Sequence, residues 1–316
     1  MIALIVRRLA LLVPVALVVG TMTFLLIHMT PGDPAAVMLG PEATPEQIDR
    51  LRERLGLDEP LLAQYPRWLF NVLRLDLGDS IFLNRPVTQA LAERMAPTLQ
   101  LTLYGLLIAV ALGVPAGIFA ALHQNSLIDR LLMLLATAGM AIADFFLSIL
   151  LILLFAVTLR WLPSGGYVAF GDDPVQHLRS MLLPALALGI SIAGAPARLI
   201  RAAMLDVLHE DYIRTAVAKG LPPGTVARRH ALRNALLPTI TILGYTLGDL
   251  LGGAVVVETV FSLPGMGQLA VHSIARRDFP VVQGVVMAAA AFYLLANLLV
   301  DLLYVVFDPR LRDDRR

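Results

Sequence analysis

The sequence predicts an all-α, polytopic integral membrane protein with six transmembrane helices, on two observations: an extreme apolar composition and six long runs sparse in charge. Of 316 residues, 58% are hydrophobic and only 16% charged, and the mean hydropathy is +0.75, outside the range of soluble globular domains. A hydrocarbon core about 30 Å thick takes roughly 20 apolar residues as helix, and only helices or closed barrels satisfy every backbone polar group in lipid. The runs at about 9–29, 98–121, 131–158, 181–199, 237–257 and 281–307 are long enough to choose the helix.

The first run follows Arg7 and Arg8, as the apolar part of a secretory signal would, but it is longer than such a part and ends in "HMTPGDP" without a small-residue cleavage pattern. An uncleaved helix is expected. The fourth run is the least regular: Pro184, Gly189, Gly194 and Pro196 interrupt it, and Arg198 is expected to mark its end. Arginine and lysine in the termini and short loops set the orientation. With the N-terminus inside, 14 fall on the cytoplasmic side and four (Arg160, Arg179, Arg276 and Arg277) outside. Both termini are therefore expected in the cytoplasm. Three regions follow: 1–29, an extracytoplasmic insertion at 30–97, and a core at 98–316 with a cytoplasmic loop at 200–238.

The insertion reads as folded. "TPEQIDRLRERLG" offers Thr44 as helix cap, Pro45 at the first helical position, Gln47 to complete a capping box and Gly56 as the stop. "PLLAQYPRWLFNVLRLDLG" places Leu62, Tyr65, Leu69 and Leu73 near one helical face. Two uses stay open: a cap packed on the membrane part, or a docking or gating surface for something outside.

The loop "DYIRTAVAKGLPPGTVARRHALRNALLP", residues 211–238, departs from its lipid-like surroundings. Residues 210–219 are expected to form about three helical turns, with Ile213, Ala216, Val217 and Gly220 on one face and Arg214 and Lys219 off it. Gly220, Pro222 and Pro223 end that helix. A second short helix is expected from about Thr225 to Leu237, before Pro238 opens the next span. Small residues let a partner's backbone come close, and a face of alanine and glycine lacks the bulky anchors of a lipid-binding helix. Docking of a protein is favoured over lipid contact.

"EDYIRTAVAKGL" followed by "RRHALRNALLP" resembles the cytoplasmic loop of permease subunits of binding-protein-dependent ATP-binding-cassette (ABC) importers, in the dipeptide, oligopeptide and nickel branch. "LGLDEPLLAQYPRWL", "GGAVVVETVFSLPGMGQLAVHSIARRDFPVVQG" and "NLLVDLLYVVFDPRLR" are similar to that branch in order and spacing. Two departures stand out. Arg214-Thr215-Ala216 occupies the place of a Glu-Ala-Ala, and Leu237-Pro238 lies farther from Gly220 than in the general motif, as it does in the peptide branch.

The resemblance implies an ABC importer permease fold, of the kind called MetI-like, in a bacterial cytoplasmic membrane. It implies a coupling helix driven by a separate ATPase, with Glu210, Asp211, Tyr212, Arg214, Ala216, Lys219, Gly220 and Pro238 carrying the contact. It also implies a second homologous permease subunit, two ATPase subunits holding ATP and Mg, and an extracytoplasmic binding protein. Peptides or related small solutes would be the cargo.

The chain lacks a phosphate-gripping loop: its sole lysine, Lys219, has no G-x-x-x-x-G-K-[ST] pattern around it. Without cysteine, thiolate and sulfur-ligated metal chemistry are excluded. His28, His123, His177, His209, His230 and His272 are scattered and read as ordinary interfacial residues, so no metal or bound cofactor is expected, and no nucleic acid. Gly244, Gly248 and Gly252 recur every fourth residue, a small-residue face for close packing against this chain's own helices or a second subunit.

Carboxylates within spans are functional hypotheses by default. Asp144 is expected mid-span and Asp249 within helix five, with Glu258 at the outer mouth beside the breaks at Pro264 and Gly265. These three are candidates for the translocation pathway, although Asp144 equally fits a hydrogen bond between helices. Asn297 and Asp301 read as a structural pair. A proton-coupled transporter using Asp144 and Asp249 is the competing function, and a membrane enzyme lacks a catalytic constellation.

Overall fold

The computed structural model describes residues 2–29, 31–226 and 231–307; the side chains of 2–10, 223, 233, 234, 236–245 and 301–307 also lie outside the described set. His230, Arg228 and Arg229, the Arg233 and Asp301 side chains, the surroundings of Gly244, and the tail from 308 onward are therefore not described. Thirteen α-helices, one π-helical turn and one hairpin of two-residue strands are seen among the described residues, divided between two compact units, 1–97 with 264–295 and 98–263 with 296–316.

In the first unit α1 (Ile2–His28) is followed by α2 (Pro34–Leu39), α3 (Pro45–Leu55) and α4 (Leu61–Leu73). The local signals act as anticipated. Gln47 N–H donates to Thr44 Oγ1 at 3.4 Å and Thr44 N–H to Gln47 Oε1 at 2.9 Å, closing the capping box. Gly56, at φ +68°, ends α3 in the left-handed region. The inward face of α4 differs from the expected one: Leu62 and Leu73 are exposed, and Tyr65, Trp68, Leu69 and Val72 turn inward. Aromatic packing decides the rotation, because Tyr65 and Trp68 both pack on Phe24 of α1. Thr21 with Tyr65 and His28 with Gln64 add hydrogen bonds between the two helices. The strands β1 (Asp79–Ser80) and β2 (Arg85–Pro86) form a small antiparallel hairpin before α5 (Val87–Leu122). The unit also holds α12 (Met266–Ala275) and most of α13 (Phe279–Phe307), whose Val281 and Val285 share a core with Val87 and Leu91.

The second unit is organised around α8 (Pro174–Leu208), a continuous 35-residue helix. The fourth run was expected to be short and broken; it is instead a long helix rich in buried residues. Pro184 and Pro196 are held within it, and it passes Arg198 by almost three turns. Neighbouring helices accommodate such breaks by packing on them. α8 packs on α6 (Leu127–Ala141), α7 (Asp144–Leu151) and α11 (Leu232–Val260).

Glycines make these contacts close. A Cβ on Gly113 of α5 would lie 2.6 Å from the Ala193 carbonyl oxygen, one on Gly117 would overlap that of Ala197, and one on Gly194 would overlap that of Ala136 in α6. Leu101, Leu183, Leu188, Leu250, Val257 and Phe261 form the apolar core of this unit.

The third run is not one straight span. α6 stops at Ala141, and α7 with the π-helical turn Ile152–Thr158 restarts at Asp144, bent by 105°. Among the described residues, four helices (α1, α5, α8 and α13) are long and apolar enough to cross a membrane, and the bent pair passes as a fifth.

Candidate coupling site and intramembrane carboxylates

After α8 the chain turns through His209 and Glu210 into α9 (Asp211–Ala218). Glu210 is the helix cap position and Lys219 closes the other end. The exit is a Schellman motif: Gly220, at φ +79°, donates its N–H to Val217 O at 2.9 Å, and Leu221 N–H reaches Ala216 O at 3.3 Å. Glycine is needed here for its backbone, and open space surrounds the place a Cβ would occupy.

α9 has two faces. Ile213 and Ala216, 3% and 7% exposed, are clustered with Ala121 of α5, Ile200 and Met204 of α8, and Ala231 and Ala235 beside and within α11. Val217, expected beside them, is 57% exposed, so the apolar stripe is narrower than the sequence suggested. Ala216, expected to admit a partner's backbone, instead faces this chain's own core. The outer face carries Asp211, Tyr212, Arg214, Thr215 and Lys219. Arg214 pairs with Asp211 at 3.3 Å, one turn away on the surface, an arrangement worth a few tenths of a kcal/mol.

Pro238 does not open a helix. Residues 232–260 are one continuous helix, so Pro238 lies two turns inside α11; the second short helix expected from about Thr225 to Leu237 falls partly on residues 227–230, outside the described set, with the helical turn Pro223–Thr225 (α10) before them and α11 after.

The carboxylates are not equivalent. Asp144 was expected in mid-helix; it is the first residue of α7, at the 105° break. Its Oδ2 lies 2.8 Å from where a Cβ on Gly253 of α11 would be, as does a Leu188 methyl, so a side chain at 253 would have to displace the Asp144 carboxylate and Leu188. Asp249 precedes Gly253 by one turn on α11 and is exposed. Glu258, expected at an open mouth, is completely buried and accepts a hydrogen bond from Thr98 Oγ1 of α5 at 2.5 Å. The turn after α11 explains its burial: Leu263 N–H bonds back to Glu258 O, and Gly165 lies against Phe261 O, covering the helix end. The breaks at Pro264 and Gly265 separate α11 from α12 as anticipated.

Of the glycine series, Gly252 has nothing within 4 Å of its Cβ position and Gly248 is half-buried. The close approach within this chain is made by Gly253. Sequence reasoning also missed two buried polar groups. His177, on the first turn of α8, is a satisfied core histidine, with Nδ1 2.7 Å from Val168 O and Nε2 3.2 Å from the Tyr104 hydroxyl. Asp129 of α6 is paired with Arg201 of α8; its only sequence signal is the Ser126-x-x-Asp129 spacing of a capped helix start. Among the described residues no group of three His, Asp or Glu converges as metal ligands.

Comparison with known proteins accounts for this architecture. Residues 113–313 match the family described as binding-protein-dependent transport system inner membrane component, and residues 1–102 match the corresponding N-terminal family. A Brucella abortus protein, provisionally named as the permease of a peptide transport system, is 45% identical over 314 residues, covering 99% of this chain and 100% of the relative. The glutathione transport system permease protein GsiC of Escherichia coli is 43% identical over 308 residues, covering 98% of both.

Among solved structures, the inward-facing MetNI methionine ABC transporter aligns with a TM-score of 0.59 at 18% identity, covering 70% of this chain and 97% of that one. The fold is thus that of ABC importer permeases. The chain belongs to the family of inner-membrane components of binding-protein-dependent transport systems, and is a multi-pass permease subunit of an ATP-driven importer rather than its ATPase.

Proposed function

We propose that α9 is the coupling helix of this permease, its outer face seated in a cleft of an ATPase subunit. The observation that carries this reading is the division of α9 itself. Ile213 and Ala216 anchor it to the ends of α5, α8 and α11, while Asp211, Tyr212, Arg214 and Lys219 face outward on a short, rigidly terminated helix. A short helix closed by Gly220 loses little entropy on docking, and its charges fix register.

Two ATPase subunits would hold ATP and Mg and supply the hydrolysis. A second permease subunit would pack beside α11, whose exposed Asp249 and open Gly252 face away from this chain's own helices. In that arrangement Asp144 and Asp249 border the pathway, and Glu258 is a structural group. With α11 as a sixth span, both termini lie in the cytoplasm, and the distribution of 14 basic residues inside against four outside supports that orientation. Residues 30–97 then face the extracytoplasmic binding protein.

The cargo belongs to the class of di- and oligopeptides and related small solutes such as glutathione, as the names of the full-length relatives suggest. A proton-driven mechanism is not retained, since the family is ATP-driven.

Gly220→Trp tests the coupling assignment. The side chain has open space within this chain and the strain of a non-glycine residue at φ +79° is confined to the exit turn of α9, so membrane insertion is expected to persist, while the ATPase subunits no longer co-purify and ATP-dependent uptake is lost. Full uptake by that variant would refute the assignment.

A further inference from the structure

The ion pair between Asp129 and Arg201 stands out in the second unit because its carboxylate is buried, its guanidinium is two-pronged and half-buried, and it lies adjacent to the coupling helix. Arg201 Nε donates to Asp129 Oδ1 at 2.6 Å and Nη2 to Oδ2 at 2.7 Å. Asp129 is 3% exposed. Its Oδ2 also accepts the Asn125 N–H at 3.0 Å, while the Asp129 N–H donates to Ser126 Oγ at 3.2 Å. The carboxylate is thus fixed by the turn that starts α6 as well as by α8. Bidentate guanidinium pairing imposes direction as well as attraction.

Its location gives that direction a use. α6 and α8 already touch backbone to backbone at Ala136 and Gly194. Asp129 is seven residues before Ala136 and Arg201 seven residues after Gly194, so the antiparallel pair is pinned again roughly 10 Å along its length. Gly139 of α6 also lies against the Ile190 backbone, so the close backbone contacts gather toward one end of the pair, and the ion pair adds a directional contact toward the other end. Arg201 also sits between Ile200 and Met204, the α8 residues clustered with Ile213 and Ala216 of α9.

We propose that Asp129 and Arg201 are positioning residues for transport: the pair makes α6 move as one body with α8 and α9 when the ATPases displace the coupling helix. An apolar pair would serve static stability equally well; a two-point polar clamp resists rotation of α6 about its own axis. The inference rests on the assignment of α9 as the coupling helix.

The chain has no cysteine, so nitroxides can be attached to Leu134→Cys on the exposed side of α6 and His209→Cys at the end of α8. Pulsed EPR on the complete complex in nanodiscs would read their separation without nucleotide and trapped with ADP and vanadate. With the pair intact, the separation is expected to stay constant between states. In Arg201→Met, at unchanged ATPase co-purification, it is expected to shift between states by more than the ~1–2 Å of an ordinary helix adjustment.

Arg201→Lys keeps the charge but loses the second prong, and is expected to shift less; it also serves if Arg201→Met does not assemble. A state-dependent shift with the pair intact, or none in either variant, overturns the proposal. ATPase co-purification with Gly220→Trp reports on the docking assignment by itself, so the two ideas fail separately.

Discussion

The seam where α8 meets α5 and α6 and the segment from Asp33 to Pro86 achieve order by opposite means. The seam uses almost no polar chemistry above Arg201: Gly113, Gly117 and Gly194 let backbones meet where any side chain would intrude. The segment is held by caps, aromatic contacts and charge pairs, such as Arg54 with Asp79 at 2.6 Å and Arg67 with Glu59 at 2.8 Å. In lipid, apolar side chains gain nothing by leaving their surroundings, so helices associate through close packing. Where charged residues are solvated, ion pairs contribute little and local signals must do more.

That contrast orders the expected cost of substitution. Gly194→Val pushes two methyl groups into the Ala136 carbonyl and Met140. Neither backbone can retreat without opening the seam, so a loss of about 3 kcal/mol, at the upper end of overpacking costs, is expected, read as a large drop in thermal stability of the detergent-solubilised chain. Wild-type stability in that variant would show that the seam is not tight.

Thr98→Val is the next test, removing the hydroxyl that donates to buried Glu258. A loss of about 1–3 kcal/mol is expected when a buried acceptor loses one of its donors. If Thr98→Val melts as the parent does, the polar contact between α5 and α11 is dispensable and close packing holds the second unit without it.

The smallest effect belongs to the segment. Thr44→Ala removes one half of the capping box and should cost about 1 kcal/mol, visible as faster hydrogen exchange within α3 with the membrane helices unaffected. An effect as large as that of Gly194→Val would erase the distinction between the two regions.

How much could be read in advance follows the same division. Thr44, Gln47 and Gly56 marked α3 because capping acts over three or four residues. Gly220 marked the end of α9 for the same reason. The inward face of α4 was misjudged because Leu62 and Leu73 match the period as well as Trp68 does, and only contact with Phe24 selects among them. α8 looked broken because Pro184 and Pro196 weaken an isolated helix, whereas burial between neighbours holds this one straight through both.

The sequence by itself determined the membrane class, the family and the position of the short helix α9, since these rest on composition, long apolar runs and contiguous motifs. Only the tertiary structure decided which side of α9 faces inward, that Glu258 is a core residue, that Asp144 sits at a break against Gly253, and that Asp129 meets Arg201. Those outcomes depend on contacts between residues tens to more than a hundred positions apart. Local periodicity carries no record of which distant backbone will come close enough to exclude a side chain or to satisfy a charge.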